Sequence, residues 1–167
     1  YLEIIAPDPA QKDFKFRIDV RKLSEPRLIT WAAATENIDA LAKRARGAGF
    51  ETFGPREGAR ARPDGKTLRW KTFAVANKFG ANDVEPIPFF IEWAADSVHP
   101  SRDSPRGCNL VAFMIEHPDP AGVKDVLAKL GLDFSEALPY SYAALYARKR
   151  RENPGLPPDM VFGGRQA

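Results

Sequence analysis

At 167 residues, 44% of them apolar and 11% aromatic, the chain has material for one ample core or two small modules of an ordinary globular protein. Its 25 basic and 22 acidic side chains leave a net charge of +3, too mild to imply nucleic acid or a membrane surface as partner, while a weak attraction for anionic ligands stays open. No apolar run approaches the ~18 residues of a membrane span and no charged-then-apolar leader opens the chain, so a cytoplasmic address is expected; the lone Cys108 excludes an internal disulfide and a cysteine-built zinc site.

Tyr1 to Ala6 alternates as a strand, with Tyr1, Glu3 and Ile5 on one face, and Pro7-Asp8-Pro9 ends it. The chain thus opens inside a strand, and we expect further residues, a whole module among them, to precede it. Residues 11–26 read as a linker with some ordered structure. Leu28 to Thr35 is a second strand, after which Asn37 caps a helix whose Ile38, Leu41, Ala42 and Ala45 recur at i, i+3, i+4 and i+7, until Gly47 and Gly49 stop it. Pro63-Asp64-Gly65 supplies turn chemistry for a hairpin over residues 60–73 in which Leu68, Trp70 and Thr72 share a face.

After a polar loop, Pro88 to Ala94 forms another strand, with Phe90, Glu92 and Ala94 on one side. A β-α-β-β-β unit is then complete and a new one begins: a strand over residues 109–116, then a helix opened by Asp119-Pro120, striped by Val123, Val126, Leu127 and Leu130 and ended by Gly131. Residues 140–162 read as a C-terminal hairpin, and Arg148-Lys149-Arg150-Arg151 as a solvated strand end. The organisation expected is the last strand of an incomplete module plus linker over 1–27, a β-α-β-β-β module over 28–100, and a partial β-α unit with hairpin and tail over 101–167.

Glu92 is a carboxylate inside an apolar strand, which costs stability unless it is paired. It reads either as a metal ligand or general base, its acidity lowered by aromatic neighbours, or as the partner of a hairpin arginine. His99 and His117, the two histidines, each precede proline. His99 is the better proton carrier, following the Glu92 strand, whereas His117 reads as a turn residue bonded to nearby backbone. Arg60, Arg62, Arg69 and Lys71 either converge on an anion or are solvated, and Trp31, Trp70 and Trp93 either line a pocket for a flat ligand or fill the core.

Four ordered motifs carry a family resemblance: Tyr1-Leu2-Glu3-Ile4-Ile5-Ala6-Pro7-Asp8-Pro9; Arg62-Pro63-Asp64-Gly65 with Leu68 and Trp70; Pro88-Phe89-Phe90-Ile91-Glu92-Trp93 with His99-Pro100; and His117-Pro118-Asp119-Pro120. From Tyr1 to about Gly131 the chain resembles glyoxalase-like domain proteins of the vicinal oxygen chelate (glyoxalase, bleomycin resistance, dioxygenase) superfamily. The resemblance implies an α+β fold of repeated β-α-β-β-β modules whose curled mixed sheets form a cleft. It implies a bacterial-type protein, paired as a homodimer, acting on a small-molecule ligand.

Carried over residue by residue, Glu3 and Glu92 match the fourth-strand metal ligands of two successive modules. Thr30-Trp31-Ala32-Ala33-Ala34, the corresponding first strand, offers no histidine, glutamine or glutamate. Two carboxylates without imidazole suit a hard divalent ion such as Mg²⁺ or Mn²⁺, and leave open whether an ion is held at all. Two functions follow from the resemblance. One is a metal-dependent lyase, isomerase or dioxygenase with Glu92 and His99 in catalysis and Trp31, Arg62, Arg69, Trp70, Phe90 and Trp93 around the substrate; the other is a metal-free protein that sequesters an aromatic or cationic small molecule.

Overall fold

The computed structural model describes residues 3–10, 18–81, 84–105, 107, 113 and 115–132. Its centre is a mixed four-stranded sheet that does not close among the described residues, with two helices, which makes the fold α+β. The strands are β1 (Ala32–Ala34), β2 (Thr52–Ala61), β3 (Thr67–Val75) and β4 (Phe89–Trp93), in the spatial order β1-β4-β3-β2. β1 runs parallel to β4, and the remaining pairs are antiparallel. Helix α1 (Ile38–Gly47) joins β1 to β2, so the described residues hold one β-α-β-β-β unit, followed by helix α2 (Pro120–Lys129).

Local chemistry sets these elements. The Asn37 side chain accepts the Ala40 N–H at 2.9 Å and starts α1. Asp119 does the same for α2 by accepting from Gly122, ahead of a proline whose missing N–H is no loss at the first helical position. Both stripes read in the sequence are buried: Ile38, Leu41, Ala42 and Ala45 from α1 join Val123, Val126, Leu127 and Leu130 from α2 in one core with Phe73, Val75, Phe79, Ile87 and Phe90. Both helices therefore pack on the same face of the sheet. In the hairpin turn Gly65 takes φ +79°, a conformation that side-chain-bearing residues resist, while Asp64 accepts the Lys66 N–H.

The structure differs from the sequence reading at three places. The hairpin is longer, because β2 begins at Thr52 rather than near Arg60: Gly54-Pro55 is taken up in a register irregularity between Phe53 and Arg56 instead of breaking the strand. Gly54 has φ +96°, and a Cβ there would lie 2.7 Å from the Thr72 carbonyl oxygen. β1 is three residues long, not eight. Glu3 to Ala6 is not a strand but an exposed irregular stretch, with Ile4 87% accessible, since a strand needs a ladder partner and these residues have none among the described ones. The expected C-terminal hairpin, and most of the strand expected over residues 109–116, lie outside the described residues.

Candidate functional site

The pleat of β3 and β4 sorts the candidate residues onto two faces. Across the pair, Trp70 stands opposite Trp93, Lys71 opposite Glu92, Thr72 opposite Ile91 and Phe73 opposite Phe90. Alternation puts Lys71, Phe73, Phe90 and Glu92 on the face that carries the helices. Trp70, Thr72, Ile91 and Trp93 lie on the other face, which no helix covers among the described residues.

On the helix-bearing face Glu92 and Lys71 are engaged with the fold. A carboxylate oxygen of Glu92 accepts the N–H of Ile38, the first residue of α1, at 2.6 Å. This amide is one of the four that a helix start leaves without an internal partner, and the positive end of the helix dipole favours a carboxylate there. Lys71 lies beside Glu92 in the ladder and places its ammonium 3.0 Å from Asp39. That hydrogen bond is the main cause holding the Lys71 amine above its ordinary protonation range, with the charges of Asp39 and then Glu92 acting in the same direction. Phe90 is 2% accessible within the core and reaches no ligand from there. Trp31 donates its indole N–H to the Pro86 carbonyl at 2.8 Å and packs on Phe113 at the core edge. Arg69 pairs with Asp96.

The open face is aromatic. The indole of Trp70 lies over Gly58 of β2, its cross-strand partner, and a Cβ at Gly58 would come within 2.6 Å of the ring. Glycine there is what lets the indole lie down on the strand. Trp93 packs against Trp70 with centroids 5.5 Å apart and planes tilted by 55°, and the imidazole of His99 meets Trp93 edge-on at 5.6 Å. Residues 94–104, which carry His99, are fastened to β3 by Ser97, whose hydroxyl accepts from the Arg69 N–H and donates to the Arg69 carbonyl. His99 in turn caps the short 3-10 turn Pro100–Arg102: its Nδ1 accepts the Ser101 N–H at 3.2 Å and lies 2.7 Å from the Ser101 hydroxyl. Accepting a backbone N–H requires a lone pair on Nδ1, so the neutral ring carries its proton on Nε2.

A concavity of about 450 Å³ adjoins this patch at the hairpin end, lined by Arg60, Arg62, Leu68, Pro100, Asp103 and Ser104 among others. Arg62 is committed there to Asp103 and Asp64. The hydrogen bond between Arg62 and Asp103 raises the affinity of the guanidinium for its proton and holds the Asp103 carboxyl below its usual range. Of the four cations that the sequence offered for an anion, Arg62, Arg69 and Lys71 are paired with carboxylates. Arg60 pairs with none among the described residues.

The structure thus brings together Trp70, Trp93 and His99, with Arg62 nearby, and separates them from Trp31, Arg69, Phe90 and Glu92. Glu3 lies in the exposed irregular stretch. Arg56 and Gly58, which belong to the open face, escaped the sequence reading because their strand did; the one available signal was the glycine at a fixed interval before Trp70 across the Pro63-Asp64-Gly65 turn.

A divalent ion of the kind the resemblance implies does not fit the donors described. The Glu92 oxygen is bonded to Ile38, on the face away from the aromatic patch. On the open face β1 and β4 offer Ala32, Ala34, Phe89, Ile91 and Trp93, all apolar. Among the described residues no group of three or more His, Cys, Asp or Glu side chains is placed to hold an ion.

The described residues hold one β-α-β-β-β unit, which is what the resemblance to the vicinal oxygen chelate superfamily implies for a single module. The chain belongs to the glyoxalase-like domain family of that superfamily, whose model matches residues 1–131. Among solved structures it is similar to a hypothetical protein from Staphylococcus aureus, at 24% identity and a TM-score of 0.33, over 39% of this chain and 25% of that one. Comparison with curated proteins finds no match. No helix among the described residues is long and apolar enough to cross a membrane.

Proposed function

We propose that this glyoxalase-like protein binds a small molecule on the open face of its sheet, with Trp70 and Trp93 as the apolar surface and His99 at its rim, and with no ion held between Glu3 and Glu92. The observation that carries the reading is the seating of Trp70 on Gly58 against Trp93. Two large aromatic side chains are held there at a fixed angle on a face that carries neither helix, and part-exposed aromatics held rigidly are effective ligand surfaces. A cytoplasmic address and pairing of two copies belong to the same reading.

A second reading, lyase, isomerase or dioxygenase chemistry, is favoured by one feature. The Nε2–H form of His99 beside Trp93 places a group able to give or take a proton at the edge of the patch. Thermal-shift screening of aromatic small molecules against wild type, Trp93→Ala and His99→Gln separates the two. Binding lost in Trp93→Ala and kept in His99→Gln supports sequestration. Turnover of a bound compound by wild type, lost in His99→Gln with affinity retained, supports an enzyme. A ligand whose affinity is untouched by Trp93→Ala would refute the assignment of the face.

A further inference from the structure

We infer that the ligand of the open face is a planar aromatic carboxylate or similar aryl anion, rather than a neutral or cationic aromatic. The inference rests on the proposed use of this face for binding and adds the charge of what is bound.

It follows from two arginines that flank the indole. In the β2–β3 ladder Gly58 faces Trp70, Arg56 faces Thr72 and Arg60 faces Leu68. Arg56, Gly58 and Arg60 alternate onto the same side of β2, the side on which Trp70 lies over Gly58. The two guanidinium-bearing residues stand four positions apart, about 13 Å along the strand at ~3.3 Å per residue, with the indole between them.

Both are exposed and neither has an ion-pair partner among the described residues, whereas Arg62, Arg69 and Lys71 each sit on a carboxylate. Arg60 also lines the concavity beside Leu68 and Pro100. On the four strands this face carries Ala32, Ala34, Phe53, Phe89, Ile91, Trp93, Trp70, Thr72, Ala74 and the buried Leu68 beside the two arginines, and no carboxylate. Asp103, which lines the concavity, and Asp64 are both held by Arg62.

A flat apolar body covering Trp70 and Trp93 therefore brings its rim to one guanidinium or the other, and an acidic substituent there gains a charge-assisted and, in the right geometry, two-pronged hydrogen bond. A cation at the same rim meets like charge, and the one carboxylate lining the concavity beside Arg60, Asp103, is already paired with Arg62.

Calorimetric titration of the full chain with three probes of one shape tests this: 2-naphthoate, 2-naphthylmethanol and 2-naphthylmethylammonium. Naphthoate is expected to bind about tenfold more tightly than the alcohol, the gain of one charge-assisted bond over a neutral one, and the ammonium more weakly than either. The double variant Arg56→Gln/Arg60→Gln is expected to bring naphthoate down to the affinity of the alcohol. The double variant Lys43→Gln/Lys124→Gln, which removes the same charge from exposed positions on the two helices, is expected to keep the preference. Equal affinity for alcohol and naphthoate, or a preference that survives loss of both arginines, overturns the charge assignment while leaving the binding face intact. Failure of all three probes to bind at millimolar concentration overturns the binding face, and this inference with it.

Discussion

The two faces of one four-stranded sheet divide the work of this molecule. On the helix-bearing face Glu92 and Lys71 have structural duties: Glu92 closes the start of α1, Lys71 holds Asp39, and the aromatic rings of Phe73 and Phe90 are sealed in the core. On the open face Trp70 and Trp93 stay partly accessible, and Arg56 and Arg60 carry unpaired charge among the described residues. Adjacent residues in one strand thus serve different ends, because the pleat turns each to the side opposite its neighbour. A carboxylate in an apolar strand is as well explained by a helix start as by an ion, and only the face it points to decides between them.

Substitutions along β3 should separate the faces most sharply. Phe73→Ala removes a ring that is 1% accessible and should cost about 3–5 kcal/mol, whereas Trp70→Ala, three residues away on the accessible side, should cost clearly less. Chemical denaturation of the two variants checks the order. Equal losses would mean that the open face is core as well.

Glu92→Ala should be intermediate, at about 1–3 kcal/mol, because it strands the Ile38 amide at the start of the helix while Asn37 still caps Ala40. Hydrogen exchange at Ile38 should accelerate first. A smaller change belongs to Gly58→Val. Its side chain must displace the indole, so intrinsic fluorescence and aromatic-ligand affinity should change more than the melting temperature.

The smallest expected effects are the pH-dependent ones, from exposed pairs. Asp103 is held below its ordinary 3.8, chiefly by the Arg62 hydrogen bond, so its stabilisation is present above that value and is lost as pH falls through the lower value of the folded state. Lys71 is held above its ordinary 10.5, chiefly by Asp39, so its contribution is full below that value and is lost as pH rises through the higher folded value. Asp103→Asn should flatten the acid limb of a stability–pH curve and Asp39→Asn the alkaline limb, with neutral stability little changed in either.

Much of this division was legible in the sequence. The helix stripe from Ile38 to Ala45, the Asn37 and Asp119 caps, the Pro63-Asp64-Gly65 turn and the β4 strand all obey short-range rules, and the structure follows them. Three of the four motifs that carried the resemblance to glyoxalase-like proteins lie in or beside these elements, while the first, from Tyr1 to Pro9, includes the exposed irregular stretch. β2 was hidden because Gly54, Pro55 and Gly58 are poor strand formers, yet Gly54-Pro55 serves a register irregularity and Gly58 makes room for an indole supplied by the next strand. Both reasons are tertiary. The role of Glu92 was hidden for a related cause: its partner is a backbone amide 54 residues earlier, and a backbone group has no signature in a sequence. Alternation did place Glu92 with Phe90, away from Trp93, and the burial of Phe90 then shows which side that is.

The most direct measurement is a thermal melt of wild type and Glu92→Gln, each with and without millimolar Mn²⁺. If Glu92 belongs to the fold, Glu92→Gln melts below wild type in metal-free buffer, because a neutral amide oxygen is a weaker acceptor at the helix start, and Mn²⁺ moves neither melting temperature. A rise in the wild-type melting temperature on adding Mn²⁺ that Glu92→Gln lacks would contradict this assignment and return Glu92 to a metal site.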